Sequence, residues 1–325
     1  MTNLIDNKFS KNHHGNCHIL SWQYSNTNEF KHFASHFGQK GAQIRYWALR
    51  SLASFAAYGW RDAVGALLSD KVKTVLIAAA DLYITIPRKH ISGQYAAAFS
   101  LAQKELEKSL VYQTDFSTGN VMLADYYLIL QDYENAEKFY MRGLKKDSKM
   151  SYALLNLSVV YNIQEKNKQA LQALDAAIKN DPNNERIYYN MALLHNEMNA
   201  IPAAEKSFAN AVELKSSNPK VYYNYGLILK QNNKFKEAEY VLLKGININP
   251  SDSELYYALT FVYIQMNNRS KAQQTAIKLK QLDPGNPTYQ QIFKTLEFYS
   301  ANFMKQHCGL VVYPIKCFMF GVLFF

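Results

Sequence analysis

The chain is poor in the residues that cross-link or interrupt a fold. Its three cysteines, Cys17, Cys308 and Cys317, lie near the ends and form no Cys-x-x-Cys pair, which excludes a disulfide framework and a cysteine-based zinc site. Eight prolines and 13 glycines in 325 residues leave long stretches free to run as helix. The opening residues, MTNLIDNKFSKNHH, lack the apolar core of about 7 to 15 residues that an export signal needs, so as written the chain is expected in the cytoplasm. Also missing are a Gly-rich phosphate loop, Gly-x-Ser-x-Gly and His-Glu-x-x-His, the usual signatures of phosphoryl transfer, acyl transfer and metal-assisted hydrolysis. Carboxylates scattered over helix faces do not make an acid–base pair. No enzymatic activity and no metal site are expected.

What is abundant is apolar and aromatic: 48% hydrophobic residues, with 24 tyrosines and 18 phenylalanines. That composition excludes a disordered chain and favours an α-rich fold. The formal net charge of +10 is spread along the length. Residues 1–116 carry 13 basic and 8 acidic side chains, residues 117–286 carry 20 and 17, and the remainder 3 and 1. Clusters such as Lys145, Lys146 and Lys149, or Lys234 and Lys236, sit beside acids and read as solvated helix faces, so no nucleic-acid partner is expected. The apolar tail at residues 305–325 is interrupted by Pro314 and Lys316 and falls short of the ~20 residues that span a bilayer, which leaves a tail contact as the one expected membrane interaction.

An internal stride organises the middle of the chain. Ala136, Ala170, Ala204, Ala238 and Ala272 are spaced 34 residues apart, fixing five segments: 117–150, 151–184, 185–218, 219–252 and 253–286. In that register position 8 is always small (Ala124, Ser158, Ala192, Gly226, Thr260), and position 7 is always large (Leu123, Leu157, Met191, Tyr225, Leu259). Small residues at 8 and 20 let two helices approach closely, and large ones at 7, 11 and 24 fill the space between helix pairs. Pro182, Pro250 and Pro284 recur at position 32, where proline ends the second helix.

This pattern resembles the tetratricopeptide repeat family over more than half of the chain, with position 24 (Tyr140, Leu174, Phe208, Leu242) broken only by Ala276. The resemblance implies an all-α, right-handed α-solenoid of helix pairs. Residues 29–89 resemble a HEAT-like pair, with Asp70 placed to cap a helix that turns Val72, Val75, Ala79 and Leu82 to its neighbour; residues 90–116 read as a connecting helix. Residues 287–304 read as a helix capping the last pair, as an open solenoid end requires. Residues 1–28 form a polar N-terminal segment.

The order of HEAT-like segment, long helix and repeats also resembles the C-terminal half of bacterial multihaem c-type cytochromes, in which the periplasm is the implied compartment. Covalent haem attachment needs Cys-x-x-Cys-His, and here His14 precedes Gly15, Asn16, Cys17 and His18, so the first cysteine is missing. Cys17 and His18 are the only candidate cofactor residues, and no bound haem is expected. His32 and His36 stand four apart, a spacing that also fits a surface or core pair.

In tetratricopeptide arrays the first helix of each pair lines the inner surface, with positions 2, 5, 6, 9 and 12 free to meet a ligand. Here position 6 is Asn156, Asn190 and Asn224 in consecutive repeats, a series similar to the asparagine ladder of the protein O-GlcNAc transferases. An amide can pair with a peptide group whatever the bound sequence, although such residues can also face a helix or water. Position 5 supplies Tyr189, Tyr223 and Tyr257; Arg186 and Lys220 at position 2, with Asn196 and Lys230 at position 12, complete the candidate surface. The implied function is a non-catalytic scaffold that holds a protein or peptide partner, one with acidic residues or a free carboxylate. The alternative is an accessory or truncated subunit of a multihaem cytochrome system. Partner identity and oligomeric state stay open at this stage.

Overall fold

The computed structural model describes residues 35–52 and 57–306, with side chains placed for 35–52 and 60–296. Among the described residues all regular structure is helical. The chain forms two compact units, Met1–Ser207 and Phe208–Phe325.

The first unit opens with α1 (Ala42–Ser51), α2 (Ala57–Gly65), α3 (Lys73–Tyr83) and α4 (Gly93–Val111). Tyr83 is fully buried at their centre, its ring tilted against Trp60 and Phe99 and edge-on to Tyr95. Its hydroxyl is not wasted: it donates to the Arg61 carbonyl at 2.6 Å. Arg45 forks onto Asp70 at 2.8 and 2.9 Å, and Asp70 also accepts from the Val72 N–H at 2.8 Å. Asp70 therefore shapes the entry to α3 rather than capping it directly, and Val72 becomes the N-cap residue. Val72 stays exposed as a result, whereas Val75, Ala79 and Leu82 are buried. The connecting helix starts at Gly93 because Pro87 leads into a single 3-10 turn at Arg88–His90, after which Ile91 and Ser92 are extended.

The 34-residue segments follow as helix pairs: α5 (Ser117–Ile129) with α6 (Tyr133–Lys146), α7 (Ser151–Ile163) with α8 (Asn167–Asn180), and α9 (Glu185–Glu197) with α10 (Ile201–Glu213). The boundary between units falls inside α10. The second unit continues with α11 (Pro219–Gln231) and α12 (Phe235–Ile248), α13 (Ser253–Gln265) and α14 (Arg269–Leu282), then α15 (Pro287–Gln306). Each first helix starts at the first residue of its segment. All five position-20 alanines are fully buried, so helices meet there at backbone distance. At position 24 Tyr140, Leu174, Phe208 and Leu242 are sealed as well, each removal from water contributing about 1.5 to 3 kcal/mol.

The turn inside every pair closes in one way. The residue at position 15 is left-handed: Gln131, Glu165, Asn199, Asn233 and Asn267 have φ between 55° and 61°. The N–H after it reaches back to position 11, as from Lys166 to the Tyr161 carbonyl at 2.8 Å and from Lys234 to Leu229 at 2.8 Å. This Schellman closure satisfies the last carbonyls of the first helix with main chain alone. Entry to the first helices differs along the array. Asn184, Asn218 and Asp252 cap α9, α11 and α13 by accepting from the N–H two residues on, while α5 and α7 carry Phe116 and Met150 at that place and have no side-chain cap.

Within each unit the first helices of successive pairs pack on one another, α5 with α7, α7 with α9 and α11 with α13. The second helices are more widely separated, which puts the first helices on the inner side of each unit. These are stacked tetratricopeptide-like helix pairs, as the spacing predicts.

Candidate functional site

The inner face of the first unit is occupied by a polar knot. Asp125, at position 9 of the first repeat, accepts from the Tyr140 hydroxyl in a short hydrogen bond, from Asn156 Nδ2 at 2.9 Å and from the Tyr152 hydroxyl at 3.2 Å. Part of Asp125 still touches solvent, yet protein crowds its carboxylate, and burial raises its pKa to about 6 against the pull of its three donors. The same crowding, with Asp125 beside them, drives the Tyr140 and Tyr152 hydroxyls upward.

The knot corrects the expectation for Asn156. This residue is only 3% exposed, and its amide is committed to Asp125 across the junction of the first two repeats. A carboxylate at position 9 of the preceding repeat captures the amide, which becomes a tie between pairs instead of a ligand grip. Neither Val159 nor Leu193, the position-9 residues of the next two repeats, offers such an acceptor. Asn190 is half-buried and its Nδ2 returns to the Arg186 carbonyl of its own helix at 2.8 Å. Tyr189 and Arg186 beside it are half-buried, and Asn196 is exposed at the end of α9. Asn162 Nδ2 donates to Glu197 at 2.6 Å.

The second unit presents aromatic rings instead. Tyr257 lies against Phe261, ring centroids 4.9 Å apart, and against Tyr289 of α15 at 6.0 Å. Tyr223 belongs to the same inner face; all four rings are half-buried, and burial raises the hydroxyl pKa of Tyr223 and Tyr257. Two lysines flank them. Lys220 stands 6.0 Å from the Tyr223 ring and pairs with Glu254 at 2.5 Å. Lys230 stands 5.8 Å from the Phe261 ring and has no carboxylate partner among the described residues. Asn224 is half-buried on the same helix.

Sequence reasoning missed Asp125, Phe261 and Tyr289. Asp125 carried a signal, being the only charged residue in α5 (STGNVMLADYYLI). Phe261 sits at position 9, one of the ligand-facing positions, and Tyr289 comes from the terminal helix. Cys17 and His18 lie outside the described residues, as do His32 and residues 307–325 of the tail. Among the described residues no helix is long and apolar enough to cross a membrane.

Comparison with known proteins gives two matches to the tetratricopeptide repeat family, at residues 121–185 and 219–252. The second of these spans the fourth repeat from end to end. Among solved structures, the chain is similar to PilF of Pseudomonas aeruginosa at 20% identity, covering 65% of this chain and 95% of that one with a TM-score of 0.50. It is similar to YrrB, described as a tetratricopeptide-repeat protein with an unusual peptide-binding site, at 20% identity over 57% of this chain and 96% of that one, TM-score 0.48. A third likeness is to MamA from Desulfovibrio magneticus RS-1, at 13% identity over 53% and 97%, TM-score 0.47. At such identities the likeness concerns the fold. No curated protein matches the chain by sequence.

Proposed function

We propose that this chain, whose residues 121–185 and 219–252 match tetratricopeptide repeats of the kind that typically mediates protein–protein interaction and is generally non-catalytic, is a scaffold that holds a peptide segment of a partner protein on its inner face. The observation that carries this reading is the aromatic run of Tyr223, Tyr257, Phe261 and Tyr289 in the second unit, all half-buried. Such rings offer large contact area at low conformational cost and anchor the centres of protein interfaces. Lys230 adds an uncompensated positive charge beside Phe261, which favours a segment carrying an acidic side chain or a free carboxylate there. Lys220 contributes less, since Glu254 neutralises it.

The test is selection of ligands from a random peptide library on the whole chain. Selected peptides should be enriched in acidic or C-terminal carboxylate ligands, and the pair Tyr257→Ala with Phe261→Ala should weaken their binding at least tenfold with helix content unchanged. Equal binding by that double variant would remove the aromatic run as the site. Asn156→Ala should leave peptide affinity intact, because its amide is already spent on Asp125.

A further inference from the structure

The outer side of the second unit differs from an ordinary solvated face. On α12 the side chains of Lys236, Tyr240, Leu243 and Lys244 form one stripe at helical spacing, with Tyr240 60% and Leu243 45% exposed. On α14 the equivalent positions 25 and 26 are Ile277, 44% exposed, and Lys278. The stacked pairs therefore repeat a couplet of outward aliphatic and adjoining lysine, Leu243 with Lys244 and Ile277 with Lys278. The second and third repeats carry Asp175–Ala176 and Ala209–Asn210 at those positions and lack it, while the first has Met141, 52% exposed, with Arg142 in place of lysine.

Charge on these two helices is lopsided. The α14 sequence, RSKAQQTAIKLKQL, has four basic residues and no acid. Of the two acids on α12, Glu239 is turned away into bonds with Lys271 at 2.6 Å and Tyr263 at 2.9 Å, leaving Glu237 alone on the outside. Lys244 lays its ammonium 4.5 Å from the centroid of the Tyr240 ring, so its stem follows the apolar stripe while its head stays in water.

We propose that this face rests on an anionic lipid surface. Lysine is depleted at the cores of protein–protein interfaces, where charges must be desolvated, whereas apolar side chains interleaved with lysines are the composition that lies on a membrane. Tyr240, Leu243 and Ile277 enter the headgroup region, and Lys236, Lys244 and Lys278 meet the anionic headgroups. The contact is peripheral and needs no spanning helix. It differs from the tail contact that the sequence suggests, because position 25 becomes an outward site only once the pairs have stacked.

Sedimentation of the whole chain with phosphatidylcholine vesicles, with and without phosphatidylglycerol, tests this directly. Binding should appear with the anionic vesicles alone and fall with added salt. Reversing the three charges (Lys236→Glu, Lys244→Glu, Lys278→Glu) should weaken partitioning roughly a hundredfold, at about fivefold or more per lysine. Leu243→Ser with Ile277→Ser should weaken it about tenfold while the charge is kept. Circular dichroism on each variant guards against misfolding, and Tyr257→Ala with Phe261→Ala should pellet as the parent does, which separates this face from the peptide surface. Equal binding to uncharged vesicles, no binding at all, or full binding by the charge-reversed variant would overturn the proposal, the last pointing to the tail at 305–325. So would a dimer in solution that Leu243→Ser and Ile277→Ser dissolve, since the face would then meet a second copy of the chain.

Discussion

The inner faces of the two units put position 9 of the same repeat to opposite ends. In the first, positions 2, 6 and 9 supply Tyr152, Asn156 and Asp125, which bind each other and close the surface. In the second, positions 5 and 9 supply Tyr223, Tyr257 and Phe261, which meet their neighbours through ring and lysine contacts and stay half-buried. The difference turns on one residue. The carboxylate at position 9 gathers two hydroxyls and an amide, while the aromatic ring there meets its neighbours by ring contact alone. Repetition of the backbone thus sets where side chains point, and the chemistry at a single position decides whether they close on one another through hydrogen bonds or lie against each other as rings.

The broadest way to sharpen the comparison is to loosen each unit separately. Leu174→Ala in the first and Leu242→Ala in the second remove equivalent, fully buried side chains and should each cost about 2 to 5 kcal/mol. If the units unfold in separate steps, urea denaturation followed by circular dichroism should show each variant shifting its own step; coincident shifts would mean that the two melt as one.

Next in size is the polar knot. Raising the Asp125 pKa from 3.8 to about 6 means that ionisation opposes folding, so this group's favourable share is complete below pH 4 and is lost as pH rises through 6. The span is at most about 3 kcal/mol. His195 acts in the opposite sense, because burial lowers its pKa and acid therefore favours the unfolded chain. Comparing Asp125→Asn with the parent at pH 5 and pH 7 isolates the carboxylate: the parent should lose more stability than the variant on going to pH 7. Tyr140→Phe deletes the shortest donor and should cost about 1.5 to 3 kcal/mol at pH 7 and less at pH 5. An equal cost at both values would mean that the hydroxyl does not serve the ionised form.

A smaller effect belongs to the turns. Gln131 and Glu165 adopt the left-handed conformation that Asn fills in the last three repeats. Glu165→Asn should therefore raise stability by several tenths of a kcal/mol, measurable as a higher urea midpoint. Smallest is the Lys220–Glu254 pair on the second inner face. It is partly exposed at both ends, and Glu254→Gln should change stability by less than about 1 kcal/mol. Its larger consequence should be on binding, where freeing Lys220 ought to tighten acidic peptides.

The fold was legible because packing is what repeats. Five alanines at one interval gave stride and phase, and each is fully buried. Helix starts were legible where proline or a capping Asn or Asp marks them, and less so at α4, whose entry depends on the 3-10 turn after Pro87. The site was only partly legible. Asn156, Asn190 and Asn224 share a register, yet register says which way a side chain leaves its helix and nothing about what awaits it. Asp125 lies 31 residues before Asn156, within a helix that otherwise reads as core. Tyr289 joins the aromatic run from a helix outside the five segments, so no internal periodicity could have pointed to it.

The turn at position 15 bears on how the chain is assembled. Each hairpin ties off its own first helix with its own main chain, so its closure waits on no distant part of the sequence. Contacts that are short along the chain form quickly, and a pair once formed offers a ready template to whichever neighbour emerges next. Growth can then begin at any of the five hairpins and spread to the pairs on either side.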